Sequence, residues 1–312
     1  MIPFFEAIGD NPFLLPGLLV GVLASVACGI IGPYVITRRI VFLAGAIAHF
    51  ALCGVGAAIL ARHHLREHLR SEHGPAEAAR MLQDDALLST VDQLLPTLGA
   101  LAAAVIGAII IGLVQHRIRE RVDTLIGAMW AIGMALGVML VKLTPGYHAE
   151  LMSYLFGSIA YVWWDEVWLI VVLDVVIIAS VLLLHKRMLA LCLDEEQAEL
   201  QGVNVLLTNL MLLTLVALTV ICLIRMVGLI LVLALLTLPA ATVGHYVNRL
   251  GPMILGSFGL CLLVTTVPRI AAYGSPISPE ATIVLAAGGV YLLSVVVGQV
   301  FRVHWHEASA RS

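Results

Sequence analysis

His49, Asp174 and Arg225 lie inside or at the edge of long apolar runs of this 312-residue chain, and ionisable groups are costly enough in an apolar setting to be candidates for chemistry. His49 occupies the middle of a run near 41–60, among Gly45, Ala46, Ala48, Ala51, Gly54 and Gly56, which let neighbouring helices approach closely. Cys53 follows one helical turn later, so imidazole and thiol share a face and can both reach one divalent ion. A histidine bonded to a nearby carbonyl and a cysteine used for packing would give the same pattern. Asp174, in WLIVVLDVVIIAS, offers a proton or cation path, but an uncharged, hydrogen-bonded packing acid is the preferred reading. Arg225 sits at a turn between two apolar runs, where it either gates cations by repulsion or snorkels to the interface. His63, His64, His68 and His73 offer borderline-soft nitrogen donors, with His64 and His68 in i,i+4 register; a solvated charged segment is the simpler account.

Helices must position these groups. The chain is 61% hydrophobic and 12% charged with mean hydropathy +1.03, which excludes an ordinary soluble domain, where about 25% of residues are charged. About 20 apolar residues cross the hydrocarbon as a helix. Candidate spans lie near 13–36, 41–60, 97–114, 125–141, 168–184, 205–224, 227–243, 253–268 and 281–300. The runs at 205 and 227 are separated only by Arg225 and Met226, so they read as two helices with a tight turn or as a helix followed by a re-entrant piece. The expectation is an all-α polytopic membrane protein, one transmembrane domain over residues 1–312 with eight or nine spans.

Arg38, Arg39, Arg117, Arg119, Arg121, Lys186, Arg187, Arg249, Arg302 and Arg311 fall on one side of that arrangement, which puts the N-terminus outside and the C-terminus in the cytoplasm. The hydrophilic insertion 61–95 then faces out, and the acidic helix-forming stretch LDEEQAELQGVN at 193–204 faces in. The start, with Glu6 and Asp10 and no basic residue before Arg38, is unlike a signal or transit peptide. A net charge of −3 gives no field for nucleic acid. Cys28, Cys53, Cys192, Cys222 and Cys261 are scattered, so neither a disulfide framework nor a zinc ribbon is indicated. No P-loop, H-E-x-x-H or G-x-S-x-G occurs, which leaves no ATP site and no motif for hydrolysis; the chain reads as a non-enzyme without a bound cofactor.

RRIVFLAGAIAHFALCGVG (38–56), LIGAMWAIGMALGVML (125–140), AELMSYLFGS (149–158) and VGLILVLALLTLPAAT (227–242) resemble the permease subunits of bacterial zinc and manganese ABC importers, the metal ABC-3 family. LDEEQAELQGVNV is similar, more distantly, to the vitamin B12 and iron-siderophore permeases, which suggests type II importer architecture. The resemblance implies a homodimeric pore in the bacterial inner membrane, two cytoplasmic ABC ATPases, and an extracytoplasmic solute-binding protein that delivers Zn²⁺, Mn²⁺ or Fe²⁺ as substrate. By the same likeness, the turn HYVNRLGP at 245–252 docks the ATPase through His245, Asn248 and Arg249, with Gly251 and Pro252 expected to stop a helix; 193–204 is second choice. The family's second span usually reads G-D-x-[IL]-[AS]-H, with Asp and His lining the cation path. Here His49 is present, Gly45 stands at the Asp place, and Cys53 stands where Pro is common. Loss of a hard oxygen and gain of a soft sulfur tilt the expected substrate toward zinc. Gly45→Asp is then expected to raise manganese transport relative to zinc. Two rival readings are a secondary metal-ion/proton transporter using Asp174 or His49, and an intramembrane metalloenzyme, which lacks a recognisable third ligand and base.

Overall fold

Apolar runs of this length have one stable form where water is absent, because only a helix pairs its own backbone groups. The computed structural model describes residues 7, 11–75, 77, 86–117, 122–145, 162, 164–275 and 277–309, and its regular elements are helices, with no strand among the described residues. In chain order they are α1 (Leu14–Thr37), α2 (Val41–His73), α3 (Ala86–Arg117), α4 (Val122–Lys142), α5 (Trp164–Leu193), α6 (Glu195–Leu200), α7 (Val205–Val227), α8 (Leu229–Gly244), α9 (Leu250–Ala272) and α10 (Pro279–Ser309). Eight of these are long and apolar enough to cross a bilayer, and α8 is a ninth, shorter apolar helix. Its 16 residues span about 24 Å, less than the roughly 30 Å of hydrocarbon. The AELMSYLFGS block lies outside the described residues.

Two boundaries differ from the expected ones. The break between the sixth and seventh apolar runs falls at Gly228, with φ +82°, rather than at Arg225 and Met226, which belong to the last turn of α7. Hydropathy cannot see this, since the turn needs a backbone angle that glycine adopts cheaply and other residues do not. Gly251 and Pro252 do not stop a helix but lie in the first turn of α9. There the missing proline N–H has no helical partner to lose.

The start of the insertion continues a helix. α2 runs without interruption from the apolar stretch through His73, 33 residues or about 50 Å, and α3 begins at Ala86.

The chain forms two compact units. In the first (residues 1–41, 153–208 and 222–312), α1 packs against α9, α8 and α5, and α8 and α9 pack against each other and against α10. Glycines set the spacing: a Cβ at Gly29 would lie 2.5 Å from Phe258 Cα. Polar side chains tie the same helix sideways. Ser25 Oγ and Thr265 Oγ1 share a hydrogen bond of 3.1 Å, Tyr34 Oη bonds His185 Nδ1 at 2.9 Å, and Arg269 donates to the Gly17 carbonyl. The second unit (residues 42–152 and 209–221) holds most of α2, α3, α4 and the middle of α7.

Candidate functional site

His49 lies in the second unit, on the part of α2 that α3 and α4 cover, and is 8% exposed. Between Val41 and Ala61 the only polar or thiol side chains are His49 and Cys53, so α2 is seated by shape. A Cβ at Gly54 would lie 2.5 Å from Ala103 Cβ on α3, and one at Gly133 of α4 would lie 2.6 Å from Phe50 Cα. Gly133 and Gly137 are four residues apart on α4, and Gly56 meets the Gly137 carbonyl, which makes a small-residue seam of the kind that brings membrane helices together.

Within that seam the His49 ring is held twice. Its Nδ1 donates to the Gly45 carbonyl one turn back at 2.8 Å, which leaves Nε2 as the lone-pair nitrogen. No described residue hydrogen-bonds Nε2. The Trp130 indole of α4 stacks on the imidazole with centroids 4.3 Å apart and planes 25° from parallel. Such a pair is worth about 0.5–1.5 kcal/mol beyond area burial. Cys53 is half-buried one turn along α2. Nowhere among the described residues do three His, Cys, Asp or Glu side chains gather to hold an ion. The arrangement can offer one oriented nitrogen, which suits a passing ion better than a resident one. Sequence reasoning missed Trp130, which no local spacing links to His49. It also missed an obstacle to Gly45→Asp: a Cβ there would stand 2.7 Å from Trp130 Cζ3, so the single exchange does not simply add a ligand.

His63, His64, His68 and His73 all sit on the polar end of α2. His63 Nε2 pairs with Glu67 at 3.4 Å and His68 Nδ1 with Glu72 at 3.6 Å, each one turn apart, while the His64 ring neighbours His63 at 6.0 Å. His73 ends the helix. Arg225 is placed by its backbone in the last turn of α7, and its side chain lies outside the described residues. Asp174, in the first unit, is 4% exposed, and among the described residues neither carboxylate oxygen has a hydrogen-bond partner. Its burial agrees with a packing acid, while no described residue supplies the hydrogen bond expected of one.

At one end of the first unit three linkers come together. Arg38, just after α1, donates to the Leu191 carbonyl at 3.0 Å and pairs with Glu195 of α6 at 2.6 Å. Asp194 caps α6 by accepting from the amides of Glu196 and Gln197. Residues 245–249 join α8 to α9 at the same end, beside a cleft of about 730 Å³ lined by Thr37, His185, Cys192, Asn248, Arg249 and Met253, among others. His245 is turned onto α10, its Nδ1 bonded to Ser294 Oγ at 2.8 Å and its ring stacked on Tyr291. Asn248 and Arg249 are exposed.

A family model described as the ABC 3 transport family matches residues 10–69 and 86–298. Residues 70–85, between the two matched stretches, coincide with the region where α2 ends and α3 begins. An uncharacterised membrane protein of Synechocystis is 35% identical over 91% of this chain and 90% of its own length. A Chlamydia trachomatis chain named "Probable metal transport system membrane protein" is 32% identical over 91% and 89%. The manganese transport system membrane protein MntC of Listeria monocytogenes is 26% identical over 80% and 78%. Among solved structures, PsaBC from Streptococcus pneumoniae in complex with Fab superimposes with TM-score 0.75 at 25% identity, covering 94% of this chain and 95% of that one.

Proposed function

Since the chain belongs to the ABC 3 transport family, we propose that it is the membrane-spanning permease subunit of an ATP-driven importer of divalent transition-metal ions, with Zn²⁺ favoured and Mn²⁺ or Fe²⁺ as alternatives. The observation that carries this reading is the extent of the family match, joined to relatives named for metal and for manganese transport. The chain works as a homodimer in the bacterial cytoplasmic membrane, N-terminus outside and C-terminus inside. Cytoplasmic ATPase subunits and an extracytoplasmic solute-binding protein complete it.

The residues divide this work. His49 offers Nε2 as a transient ligand, with Cys53 assisting from the next turn, and the ion leaves easily because few donors hold it. Arg225 gates the outer end by repelling cations until the binding protein docks. His63, His64, His68 and His73 collect metal at the outer surface. The end of the first unit that carries Arg38, residues 194–204 and residues 245–249 faces the cytoplasm, and Asn248 and Arg249 meet the ATPase while His245 anchors the turn on α10. Nucleotide binding by the partner shifts the permease between outward and inward openings, and hydrolysis gives the direction.

Reconstitution with the ATPase and the binding protein tests this. Zinc uptake is expected to require ATP, and Arg249→Glu is expected to abolish uptake and ATPase stimulation without lowering membrane insertion. Uptake driven by a proton gradient with no ATPase would favour the secondary transporter, for which the buried Asp174 is the best candidate. Unchanged ATPase co-purification by the Arg249 variant would remove the docking assignment.

A further inference from the structure

Positions 45, 49 and 53 recur at one turn each and share a face of α2. A second donor for an ion held on the His49 imidazole must come from 45, from 53, or from another helix. α4 closes the first of these directions. The Trp130 indole, stacked 4.3 Å from the imidazole, also stands over Gly45, where a Cβ would lie 2.7 Å from Cζ3 and 3.0 Å from Cη2. Trp130 is one turn from Gly133, whose own close approach to Phe50 seats α4 on α2, so the indole has little room to retreat by helix movement. The Gly45 carbonyl is engaged by His49 Nδ1, which leaves the imidazole to present Nε2 alone.

Resting on the reading of His49 as a station on the ion path, we propose that Trp130 is the specificity-determining residue of that station, orienting the imidazole by stacking and filling the volume that a carboxylate at position 45 would need. The ion passes on one nitrogen beside an aromatic wall, with water or the Cys53 thiol completing its shell. Zn²⁺ accepts imidazole, thiol and few ligands, whereas Mn²⁺ favours oxygen donors and gains least from such a site. The indole thus acts through His49 and through exclusion, as a positioning residue that need not itself ligate the ion.

Competitive zinc and manganese uptake by the full chain, reconstituted with the same ATPase and binding protein throughout, tests this. Trp130→Ala is expected to lower zinc uptake about tenfold, a usual size for losing a group that orients a metal-ligating histidine. Trp130→Phe, which keeps a stacking ring, should retain most of it. Gly45→Asp alone should depress both metals, because aspartate and indole compete for one space. The double variant Gly45→Asp with Trp130→Ala should raise the manganese-to-zinc ratio about tenfold over the parent. An unchanged ratio in the double variant, with His49→Ala still inactive, overturns the role of Trp130 and leaves that of His49. Normal zinc uptake by His49→Ala removes the station itself. If the alanine variants fail to assemble, tryptophan emission of the purified chain decides: zinc alone should change it in the parent and not in Trp130→Phe, and an equal response in both overturns the proposal.

Discussion

α1 and α2 are both apolar, deeply buried helices, each the centre of its own unit, yet they are seated by different forces. α1 combines glycine contacts with a ladder of polar ties: Ser25 to Thr265, Tyr34 to His185, and Arg38, just beyond its end, to Leu191 and Glu195. Over residues 41–61, α2 relies on shape alone, through Gly45, Gly54 and Gly56 against α3 and α4. Among the described residues, its one imidazole there hydrogen-bonds only its own backbone. Where polar side chains hold a helix, their hydrogen-bonding capacity is consumed by structure. Where glycine contacts hold it, a lone histidine keeps a free nitrogen for a passing ligand.

That contrast can be broken most forcefully at the seam of α2. Gly54→Val would drive a branched side chain into Ala103 and the Gly99 carbonyl, and is expected to destabilise the second unit by about 3 kcal/mol, the upper end for overpacking. Ser25→Ala on α1 should lower stability by only about 1 kcal/mol, one net hydrogen bond, because Thr265 keeps its bond to the Cys261 carbonyl. Thermal unfolding of the two variants in the same detergent measures both, and equal losses would erase the distinction between the two helices. The smallest effect belongs to the segment that follows α2. Replacing residues 74–85 with a Gly/Ser linker of equal length should change stability by less than about 0.6 kcal/mol, because the segment lies outside the stretches that the family model matches and the closure length is unchanged. The exchange must not extend into 61–73, which continues α2.

The spans were legible because about 20 apolar residues in succession have few other fates, and every expected run has a helix near it. The acidic segment 193–204 was legible for a local reason as well: Asp194 caps α6 and Gly202, at φ +77°, ends the turn beyond it. What local patterns could not give was anything set by a backbone angle or by a neighbour distant in sequence. The break at Gly228 is a dihedral choice inside continuous apolar sequence. Gly251 and Pro252 looked like terminators and instead open α9, where proline is tolerated. His49 stood out as a polar residue in an apolar run, but one of the two contacts that hold its ring is Trp130, 81 positions away. Gly45 read as a missing ligand, and only packing shows that its place is filled.

Ion passage on this reading needs one free nitrogen inside a shape-held helix. Zinc uptake by His49→Ala, compared with the parent in proteoliposomes carrying the ATPase and the binding protein and normalised to permease content, tests it most directly. Loss of uptake at undiminished expression and unchanged ATPase binding is expected. Near-normal zinc uptake by that variant would contradict it and return His49 to a packing role beside Trp130.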